Sequence, residues 1–377
     1  QIDIAARTVG VNYALPFNLL GESHQLALGV DWNKADYLRT ENGSAVPGNS
    51  TRRSGHLQER GYFADLLLGA THGVTFNAGW RGHRFASAQS DRRLERLCQI
   101  VLQTTLVTID TPFGPLVLPL ELPVEQGCQT SFNLRDAARQ RTYNDAFSVG
   151  ATWEINPAVT AFVSANKSFR SPNVDELLFA TATLGPQAGR GVDAGVRLAP
   201  RPWLELSATA FHLRVEDEIF FSQDPVTGQS RNRNLQGETR RTGAELELRA
   251  TPLDTLALRG TFGYVRPKLD TGADVPLVPR VTAGLGFDWT PLPAFTFSFS
   301  TTHVGARADG NDLGPEAFPR LPAYTFCDAS LRYRVGRVEV FGGINNLSDA
   351  HYSTIAYSST LYPMAERNAF AGVRVEL

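Results

Sequence analysis

The sequence lacks the features expected of a nucleic-acid-binding protein or a helical membrane protein. Its 36 Lys and Arg and 38 Asp and Glu leave a net charge of −2, whereas neutralising phosphates requires a local surplus of basic residues. It also contains no run of about 18 apolar residues, the length of a transmembrane helix. We therefore expect no nucleic-acid partner and no helical membrane span.

Residues arranged for enzyme or metal chemistry are also missing. The 7 histidines include no pair spaced i, i+4 and are not accompanied by a Cys-x-x-Cys motif, so the usual spacing of a zinc site does not occur. The sequence has no Gly-x-Ser-x-Gly elbow, phosphate-binding loop or dinucleotide fingerprint. We expect no enzymatic activity, no cofactor and no bound metal.

The sequence does contain strict alternation of apolar and polar residues. From 281 to 289 the odd positions are Val, Ala, Leu, Phe and Trp, and the even positions are Thr, Gly and Asp. After a break at 290–294, Phe295, Phe297 and Phe299 alternate with Thr and Ser. Successive side chains of a strand point to opposite faces of a sheet. Residues 281–301 therefore predict a hairpin with one apolar face and one polar face.

The same pattern recurs along the chain and indicates about 15 strands. Each is about 9 to 12 residues long, which exceeds the usual length in soluble sheets and fits a tilted membrane crossing. After Ala210 the apolar residues change parity to Phe211, Leu213 and Val215, which suggests a bulge. Short turns alternate with longer connections, and the turns are expected at 18–23, 71–73, 156–158, 200–202, 251–254, 290–294 and 335–337.

The longer connections occupy every other junction, and the longest is an irregular stretch from about Phe85 to Arg141. Outer-membrane barrels combine short turns on one side with long loops on the other. A β-propeller would instead repeat every 40 to 45 residues or so, and no such repeat occurs. We predict an all-β fold, an antiparallel transmembrane β-barrel. The mean hydropathy of −0.19 agrees, because alternation hides the apolar half of such strands.

An odd number of strands poses a problem of closure. The first and last strands would run in the same direction, whereas bacterial single-chain barrels use even numbers. An open barrel would leave two edges whose unsatisfied backbone groups cost several kcal/mol each in lipid. Gln1 begins directly in strand-like sequence, without a signal-peptide pattern. Either the count is wrong by one, or early strands are missing from the N-terminal side.

Three segments resemble signature segments of the TonB-dependent outer-membrane receptors. They are Asn166-Lys-Ser-Phe-Arg-Ser-Pro-Asn-Val-Asp-Glu-Leu177, Asn234-Leu-Gln-Gly-Glu238 with Gly243-Ala-Glu-Leu246, and Phe341-Gly-Gly-Ile-Asn-Asn-Leu-Ser-Asp-Ala-His-Tyr352 with Tyr362-Pro363 and Arg367-Asn368. They follow the order of the family along the whole chain. The residues that carry the first and third resemblances are Phe169, Arg170, Pro172, Glu176, Leu177, Asn345, Asn346, Leu347, Asp349, Tyr352 and Arg367.

The resemblance implies a 22-stranded barrel filled by an N-terminal plug. Residues 1–377 would form the carboxyl-terminal portion of that barrel, and the plug, the segment that TonB grasps and the early strands would be absent from this sequence. The last residue is Leu377, where outer-membrane proteins usually end in an aromatic residue. This residue and the absent plug are the two points at which the sequence departs from the family pattern.

The resemblance also implies a place in the cell and a function. The protein would be in the bacterial outer membrane, with membrane lipid, the TonB energy-transducing complex and a bulky ligand as partners. Its implied function is receptor-mediated, TonB-energised uptake of a scarce nutrient. In this family the nutrient is most often a ferric siderophore and less often a cobalamin, haem or glycan.

Physical reasoning gives the signature residues structural roles as well. Asn345, Asn346 and Asp349 favour a turn, because Asx side chains bond nearby backbone amides. Pro172 ends the predicted strand that contains Ser164, Asn166 and Ser168, since the residue before a proline disfavours regular continuation. Arg170 lies at the outer end of that strand. There it either pairs with a carboxylate or contacts a ligand, and the sequence leaves both interpretations open.

Arg and aromatic side chains are common anchors for ligands. We therefore predict ligand contacts at Arg84, Arg170, Tyr357 and Tyr362, all in connections between strands. A second prediction concerns the cysteines. Cys98 and Cys128 lie in one predicted loop, and an oxidising compartment would allow a disulfide between them. Two free thiols are the alternative.

Two other functions are compatible with a barrel. A passive diffusion porin would have no plug upstream of the strands. An outer-membrane hydrolase would need a Ser/His pair oriented by a third group. Ser300 and His303 are close in sequence, but a separation of three residues along a strand places them on opposite faces. This placement counts against the hydrolase.

Overall fold

The computed structural model describes residues 2–42, 50–111, 114–178, 180, 183–223, 230–314 and 318–376. Most of them are in β-strands. Among them, no helix has the length and apolar character needed to cross a membrane. One short α-helix, α1 (Val174–Leu178), and one 3₁₀ turn (Thr71–Gly73) interrupt the strands.

The strands follow one another along the chain with few other elements between them. Their bounds are β1 (Ile2–Leu19), β2 (Glu22–Asn42), β3 (Ser50–Ala70), β4 (Val74–Thr111), β5 (Gly114–Asn156), β6 (Val159–Arg170), β7 (Gln187–Arg201), β8 (Leu204–Glu216), β9 (Ile219–Gln223), β10 (Ser230–Asn234), β11 (Glu238–Leu253), β12 (Leu256–Leu269), β13 (Val281–Leu292), β14 (Phe295–Val304), β15 (Tyr324–Val335), β16 (Val338–Asn345), β17 (Ser353–Tyr357), β18 (Thr360–Pro363) and β19 (Asn368–Val375).

One antiparallel sheet contains 15 of these strands, and strands that are adjacent in it follow one another in sequence. The order runs from β1 to β8, continues from β11 to β16 and ends at β19. The other four strands form two separate hairpins, β9–β10 in the connection between β8 and β11, and β17–β18 in the connection between β16 and β19. The predicted all-β fold and its strand count are confirmed.

The strand register gives the sheet an apolar face and a polar face. One row of paired residues is Trp153, Ala161, Val196, Ala208, Leu246, Phe262 and Ala283, and the adjacent row is Glu154, Thr160, Arg197, Ser207, Glu247, Thr261 and Gly284. Adjacent rows lie on opposite faces because the side-chain period of a strand is two. The alternation read from the sequence therefore describes two distinct surfaces.

Large apolar side chains on the first face are exposed. Trp153 is 50%, Leu246 49% and Leu285 62% accessible. Leaving such a side chain in water costs about 1.5 to 3 kcal/mol relative to burying it, and the exposure repeats along the sheet. This face therefore requires an apolar environment, which the hydrocarbon of a membrane supplies.

Aromatic rings on the polar face cover glycines of neighbouring strands. Phe211 is paired with Gly243, and a Cβ atom on that glycine would lie 2.6 Å from the ring. Phe162 covers Gly195 in the same way, at 2.5 Å. The register of β8 shows no shift at Ala210 and Phe211 on either side. The bulge predicted there is wrong, because the parity of the apolar residues changes where a ring fits over a glycine, without an inserted residue.

The irregular stretch predicted from Phe85 to Arg141 is also wrong. β4 continues to Thr111 and β5 begins at Gly114. Residues 98–111 are rich in Val, Ile and Thr, which favour strands, and this preference outweighs the charged and polar residues on which the loop prediction rests. β4 and β5 have 38 and 43 residues and thus exceed the predicted strand length.

The short turns lie where the sequence predicts them. At the first one, Leu20 and Gly21 have φ values of 55° and 81°, the pattern of a type I′ hairpin turn. The other short connections join β3 to β4, β5 to β6, β7 to β8, β11 to β12, β13 to β14 and β15 to β16. We refer to the opposite ends of the strands, away from these turns, as the outer end.

The chain divides into two compact units. The first comprises Gln1–Val9, Asp31–Arg60 and Arg84–Thr142, and the second comprises Gly10–Val30, Gly61–His83 and Tyr143–Leu377. All three signature segments belong to the second unit. Several of its most buried apolar residues lie in or beside the outer-end connections of the strands: Leu177, Leu184, Val275, Ala308, Leu321 and Ala356.

Candidate functional site

Three aromatic side chains from two separate connections meet at the outer end. Phe221 is on β9, Tyr357 on β17 and Tyr362 on β18. The ring centroids of Phe221 and Tyr357 are 5.9 Å apart at an angle of 83°, and those of Tyr357 and Tyr362 are 6.4 Å apart at 86°. Edge-to-face pairs at such distances are favourable. We call these three residues the aromatic cluster.

The aromatic cluster is partly open to solvent. Tyr362 is 54% and Phe221 38% exposed, so both rings offer apolar surface to a ligand. Burial raises the pKa of the Tyr357 hydroxyl, and the nearby Tyr362 and Asp309 raise it further. Tyr357 is therefore neutral at physiological pH, and its hydroxyl can donate a hydrogen bond.

A buried carboxylate holds the turn that follows Tyr357. Asp309, in the connection between β14 and β15, is 0% exposed. Its Oδ1 accepts hydrogen bonds from the backbone N–H groups of Asn311 and Ser358, each at 2.9 Å, and its Oδ2 accepts one from Ser359 at 3.0 Å. Ser358 and Ser359 form the turn of the β17–β18 hairpin. Asp309 thus links two connections that are distant in sequence.

Arg307 fixes the other end of that hairpin. It is 2% exposed, and its Nη2 donates to the carbonyl oxygens of Ser353 at 2.6 Å and Thr354 at 2.8 Å. Its guanidinium lies 5.3 Å from the centroid of the Tyr324 ring, a cation–π distance. Tyr324 stacks on the signature residue Tyr352, with centroids 4.3 Å apart. Arg307 therefore ties the start of β17 to the β14–β15 connection.

The signature residue Arg170 forms an ion pair. Its Nη1 donates to both carboxylate oxygens of Glu176, at 3.0 and 2.9 Å. Glu176 also accepts from the N–H of Asn173, and Asn173 Oδ1 accepts from the N–H of Glu176, which is a capping box at the start of α1. Of the two interpretations that the sequence left open, the structure shows that Arg170 pairs with a carboxylate. The Arg170 side chain is still 42% exposed, and ligand contact there stays a prediction.

The other residues of the first signature segment have packing roles. The Phe169 ring lies 5.1 Å from the imidazole of His83. Pro172 is fully buried and follows the end of β6, and Leu177 is 5% exposed. The segment is therefore a packed junction that leads from β6 into α1.

The carboxyl-terminal signature segment forms a turn after β16. The Asn346 side chain bonds both the N–H and the carbonyl of Ala350, at 2.9 Å each. Asp349 accepts from the backbone N–H of Arg367 at 3.0 Å and from its guanidinium at 3.4 Å. Asn345 donates to the Asn368 side chain across β16 and β19. The predicted turn is confirmed, and the two Asx side chains are the groups that hold it.

A cavity of about 360 Å³ lies elsewhere at the outer end. Its lining comes from β10 and the start of β11 with their connection, from the end of β12 with the two residues after it, and from one residue of the β14–β15 connection. It includes Arg233, Gln236, Asp270, Thr271 and Leu313. The volume falls within the range of small-molecule sites, so the cavity can hold a small ligand or one arm of a larger one.

The remaining predicted residues are Arg84 and two cysteines. Arg84 is an exposed residue of β4 in the first compact unit, whereas Arg170 and the tyrosines belong to the second. The side chains of Cys98 and Cys128 lie outside the described residues, and their disulfide stays a prediction. Cys327 is a free thiol on β15 whose carbonyl accepts from the N–H of the signature residue Leu347 at 2.6 Å.

The arrangement does not assemble the hydrolase pair. Ser300 is paired with Asp328 and His303 with Thr325 on the adjacent strand, and the separation of three residues puts the two side chains on opposite faces. His303 Nδ1 bonds the Thr325 hydroxyl at 2.8 Å. In the part of the chain that the structure describes, no three His, Cys, Asp or Glu side chains gather as metal ligands would.

Sequence reasoning missed Phe221, Arg307 and Asp309. Phe221 stands in a short Ile-Phe-Phe run, which is a weak strand signal inside a polar connection. Asp309 is followed by Gly and Asn, a pattern typical of an exposed turn. Nothing local indicates that this carboxylate is fully buried.

A sheet of long antiparallel strands with one lipid-compatible face and one polar face is typical of the class of transmembrane β-barrels. The sequence model described as "TonB dependent receptor-like, beta-barrel" matches residues 4–347. The chain belongs to this family of TonB-dependent receptors, and the protein is in the bacterial outer membrane. A search of curated proteins finds no match.

Solved receptor structures share the fold. The ferric-catecholate import receptor Fiu from E. coli K12, in its closed form, has a TM-score of 0.72 at 17% identity, over 99% of this chain and 54% of Fiu. The ferric yersiniabactin uptake receptor FyuA from Yersinia pestis gives 0.66 at 16%, over 99% and 54%. The copper transporter OprC gives 0.68 at 16%, over 99% and 57%. The chain thus spans about half the length of these proteins, and at such identities the likeness concerns the fold.

Family membership favours some functions over others. The family consists of transport receptors rather than enzymes, and its members bind bulky ligands such as siderophores and interact with TonB. It therefore favours a receptor over a passive porin. Within the described residues the chain forms barrel strands and their connections, with no plug domain.

Proposed function

We propose that this protein acts in the TonB-energised uptake of a ferric siderophore across the outer membrane. The observation that carries this proposal is the aromatic cluster of Phe221, Tyr357 and Tyr362, which is exposed at the outer end. Aromatic side chains supply large, rigid contact area and are common binding anchors. The cluster favours a siderophore whose chelating groups are aryl rings, because such rings can pack edge-to-face or offset against it.

Charge and hydrogen bonding complement the aromatic contact. The neutral Tyr357 hydroxyl can donate to an oxygen of the iron-chelating group. Arg170, of which 42% of the side chain is exposed, is the cation that we assign to an anionic ferric complex, and ligand contact at Arg84 stays a separate prediction. Binding would precede transport, and the TonB complex would act through a plug domain. No step involves covalent chemistry.

The proposal is tested by equilibrium binding to the protein purified from outer membranes in detergent, followed by quenching of its 5 tryptophans. The compounds are iron(III) complexed with 2,3-dihydroxybenzoate, ferric citrate, haem, cobalamin and Cu(II). We expect the aryl iron(III) complex to bind best, with Tyr357→Ala and Tyr362→Ala each weakening it about tenfold, as for central binding anchors. Tyr333→Ala is the matched control, because Tyr333 is a 49%-exposed tyrosine on β15 far from the outer end.

Two results would contradict the proposal. If neither iron(III) complex binds while haem, cobalamin or Cu(II) does, the ligand is of another class. If Tyr333→Ala weakens binding as much as the cluster variants do, the aromatic cluster is not the binding site.

A further inference from the structure

The β17–β18 hairpin turns on two serines in an unfavourable backbone conformation. Ser358 and Ser359 have φ values of 50° and 65° and lie between the paired residues Tyr357 and Thr360. This is the pattern of a type I′ turn, which strongly prefers Asn-Gly. A serine is disfavoured in the left-handed region because its Cβ approaches a carbonyl oxygen. The sequence of the turn by itself does not explain its backbone conformation.

The Asp309 carboxylate supplies the missing stabilisation. Its two oxygens accept hydrogen bonds from the N–H groups of Ser358 and Ser359, at 2.9 and 3.0 Å. Hydrogen bonds to an ionised acceptor are stronger than neutral ones, and here both are shielded from water because Asp309 is fully buried. A buried carboxylate without such donors would be strongly destabilising. Asp309 and the turn therefore depend on each other.

Further contacts fasten the hairpin to the same short segment. The N–H of Gly310 donates to the carbonyl of Ala356 at 2.8 Å, and the amide of Asn311 donates to the Ser358 hydroxyl at 2.8 Å. A Cβ atom on Gly310 would lie 2.3 Å from the ring of Tyr357, so this ring packs directly on the glycine backbone. The position of the Tyr357 ring is thus determined by residues 307–311, which lie in another connection.

We propose that Asp309 is a positioning residue of the ligand site, which holds the Ser358–Ser359 turn and thereby places Tyr357 and Tyr362 for ligand binding. This inference rests on the proposed function, because it assigns the two tyrosines to the ligand. Without the carboxylate, the serines leave the left-handed region and the hairpin samples several conformations. Apparent affinity then falls by the fraction of molecules that keep the binding conformation.

The test combines two measurements on the protein in detergent. The first is hydrogen exchange of residues 353–363 without ligand, and the second is binding of iron(III) complexed with 2,3-dihydroxybenzoate. We expect Asp309→Ala to speed exchange of this segment and to weaken binding by about tenfold. Asp309→Asn keeps one amide oxygen as an acceptor and should give a smaller effect. Asp254→Ala, an exposed aspartate in the short β11–β12 turn, is the control and should change neither quantity.

A rescue variant separates positioning from a general loss of folding. Ser358→Asn with Ser359→Gly installs the residues that a type I′ turn prefers. Added to Asp309→Ala, this pair should restore slow exchange in the hairpin and bring the affinity back to within about threefold of wild type. A destabilised barrel, or a carboxylate that contacts the ligand directly, would not respond to a change in the turn.

Each outcome bears on one part of the inference. Unchanged exchange in Asp309→Ala would overturn the role of the carboxylate in the turn. Faster exchange with unchanged binding would overturn the positioning role and leave the proposed function intact. Failure of the rescue variant would overturn the explanation through the turn. If the wild-type protein binds neither the 2,3-dihydroxybenzoate complex of iron(III) nor ferric citrate, the proposed function fails, and the ligand role of Asp309 fails with it. The exchange data still decide whether Asp309 holds the hairpin.

Discussion

Arg241 and Glu218 form a bidentate ion pair at the outer end of the sheet. Nη2 of Arg241 lies 2.7 Å from Oε1 of Glu218, and Nη1 lies 3.1 Å from Oε2. The side chains are 18% and 15% exposed. Glu218 immediately precedes β9 and Arg241 is on β11. The pair therefore fixes the base of the hairpin that carries Phe221 to the main sheet.

Replacing this arginine by lysine should destabilise the protein even though the charge is kept. A lysine cannot make two parallel hydrogen bonds, and the poorly solvated Glu218 would lose part of its compensation. We expect Arg241→Lys to lower the free energy of unfolding by about 1 to 3 kcal/mol, measured by denaturant titration. Arg249→Lys is the control, because its contact to Glu247 is 4.0 Å long and both side chains are more than half exposed. Equal effects of the two variants would contradict this reasoning.

The carboxyl group of Asp274 should make the free energy of unfolding depend on pH. Its side chain is 5% exposed and lies 2.9 Å from Arg280, 3.0 Å from Lys268 and 3.2 Å from Arg320. Burial opposes ionisation, but the hydrogen bonds and charges of Arg280 and Lys268 outweigh it and lower the pKa of Asp274 to about 2. Because this pKa is below its ordinary value, the stabilisation is complete above about pH 4 and is lost as the pH falls towards 2.

We expect Asp274→Asn to lower the thermal midpoint at pH 7, corresponding to about 1 to 2 kcal/mol because the three cations are partly exposed. The difference from wild type should shrink as the pH falls from 4 to 2, because the carboxyl group of the unfolded chain is protonated first, and it should vanish only below pH 2, where the group is neutral in both states. Thermal unfolding followed by circular dichroism from pH 7 to pH 2 measures it. A difference that is constant over this range would show that the side-chain shape, and not its charge, matters.

Gly243, which is covered by the Phe211 ring, should not tolerate substitution by alanine. A Cβ atom at Gly243 would lie 2.2 Å from the carbonyl oxygen of Tyr264 and 2.6 Å from the Phe211 ring, and the backbone cannot move without breaking the β11–β12 ladder. Gly243→Ala should destabilise by about 1 to 3 kcal/mol, as overpacking does. Gly260→Ala is the control, because its Cβ would meet side chains at 3.4 Å. The test fails if both alanines are tolerated equally.

The capping box of α1 should tolerate glutamine better than alanine. Glu176→Ala removes both the acceptor for the Asn173 N–H and the partner of Arg170, and loss of a cap costs about 1 kcal/mol. Glu176→Gln keeps a side-chain oxygen for the cap and loses only the ion pair. An ion pair to an exposed arginine contributes less free energy than the cap does. Hydrogen exchange of residues 173–178 should therefore be fastest in the alanine variant. Equal exchange in the two variants would mean that the ion pair is the dominant contact.

Local chemistry made most of the sheet predictable. The hairpin predicted at 281–301 corresponds to β13 and β14, because a strand between a polar and an apolar surface needs only period-two alternation. The Asn346 and Asp349 turn was equally accessible, since Asx side chains bond amides a few residues away. Alternation was less useful in β4 and β5, where the charged and polar residues between 85 and 141 resemble a loop.

The contacts of the candidate site could not be predicted from local sequence patterns. Arg170 and Glu176 are 6 residues apart, and their pairing was one of two interpretations that the sequence allowed. Asp309 and Ser358 are 49 residues apart. Their contact depends on the register of the intervening strands, and no local pattern marks it. The same holds for Phe221 and Tyr357, which come from hairpins outside the main sheet.

Uptake of radiolabelled iron by whole cells tests the central claim most directly. The iron is supplied as the iron(III) complex of 2,3-dihydroxybenzoate to cells in which this protein is the sole receptor for it, with and without functional TonB. The account predicts accumulation that requires both the protein and TonB and that falls about tenfold when Tyr357 and Tyr362 are both alanine. Accumulation at the same rate without TonB would contradict it and indicate passive diffusion through a porin.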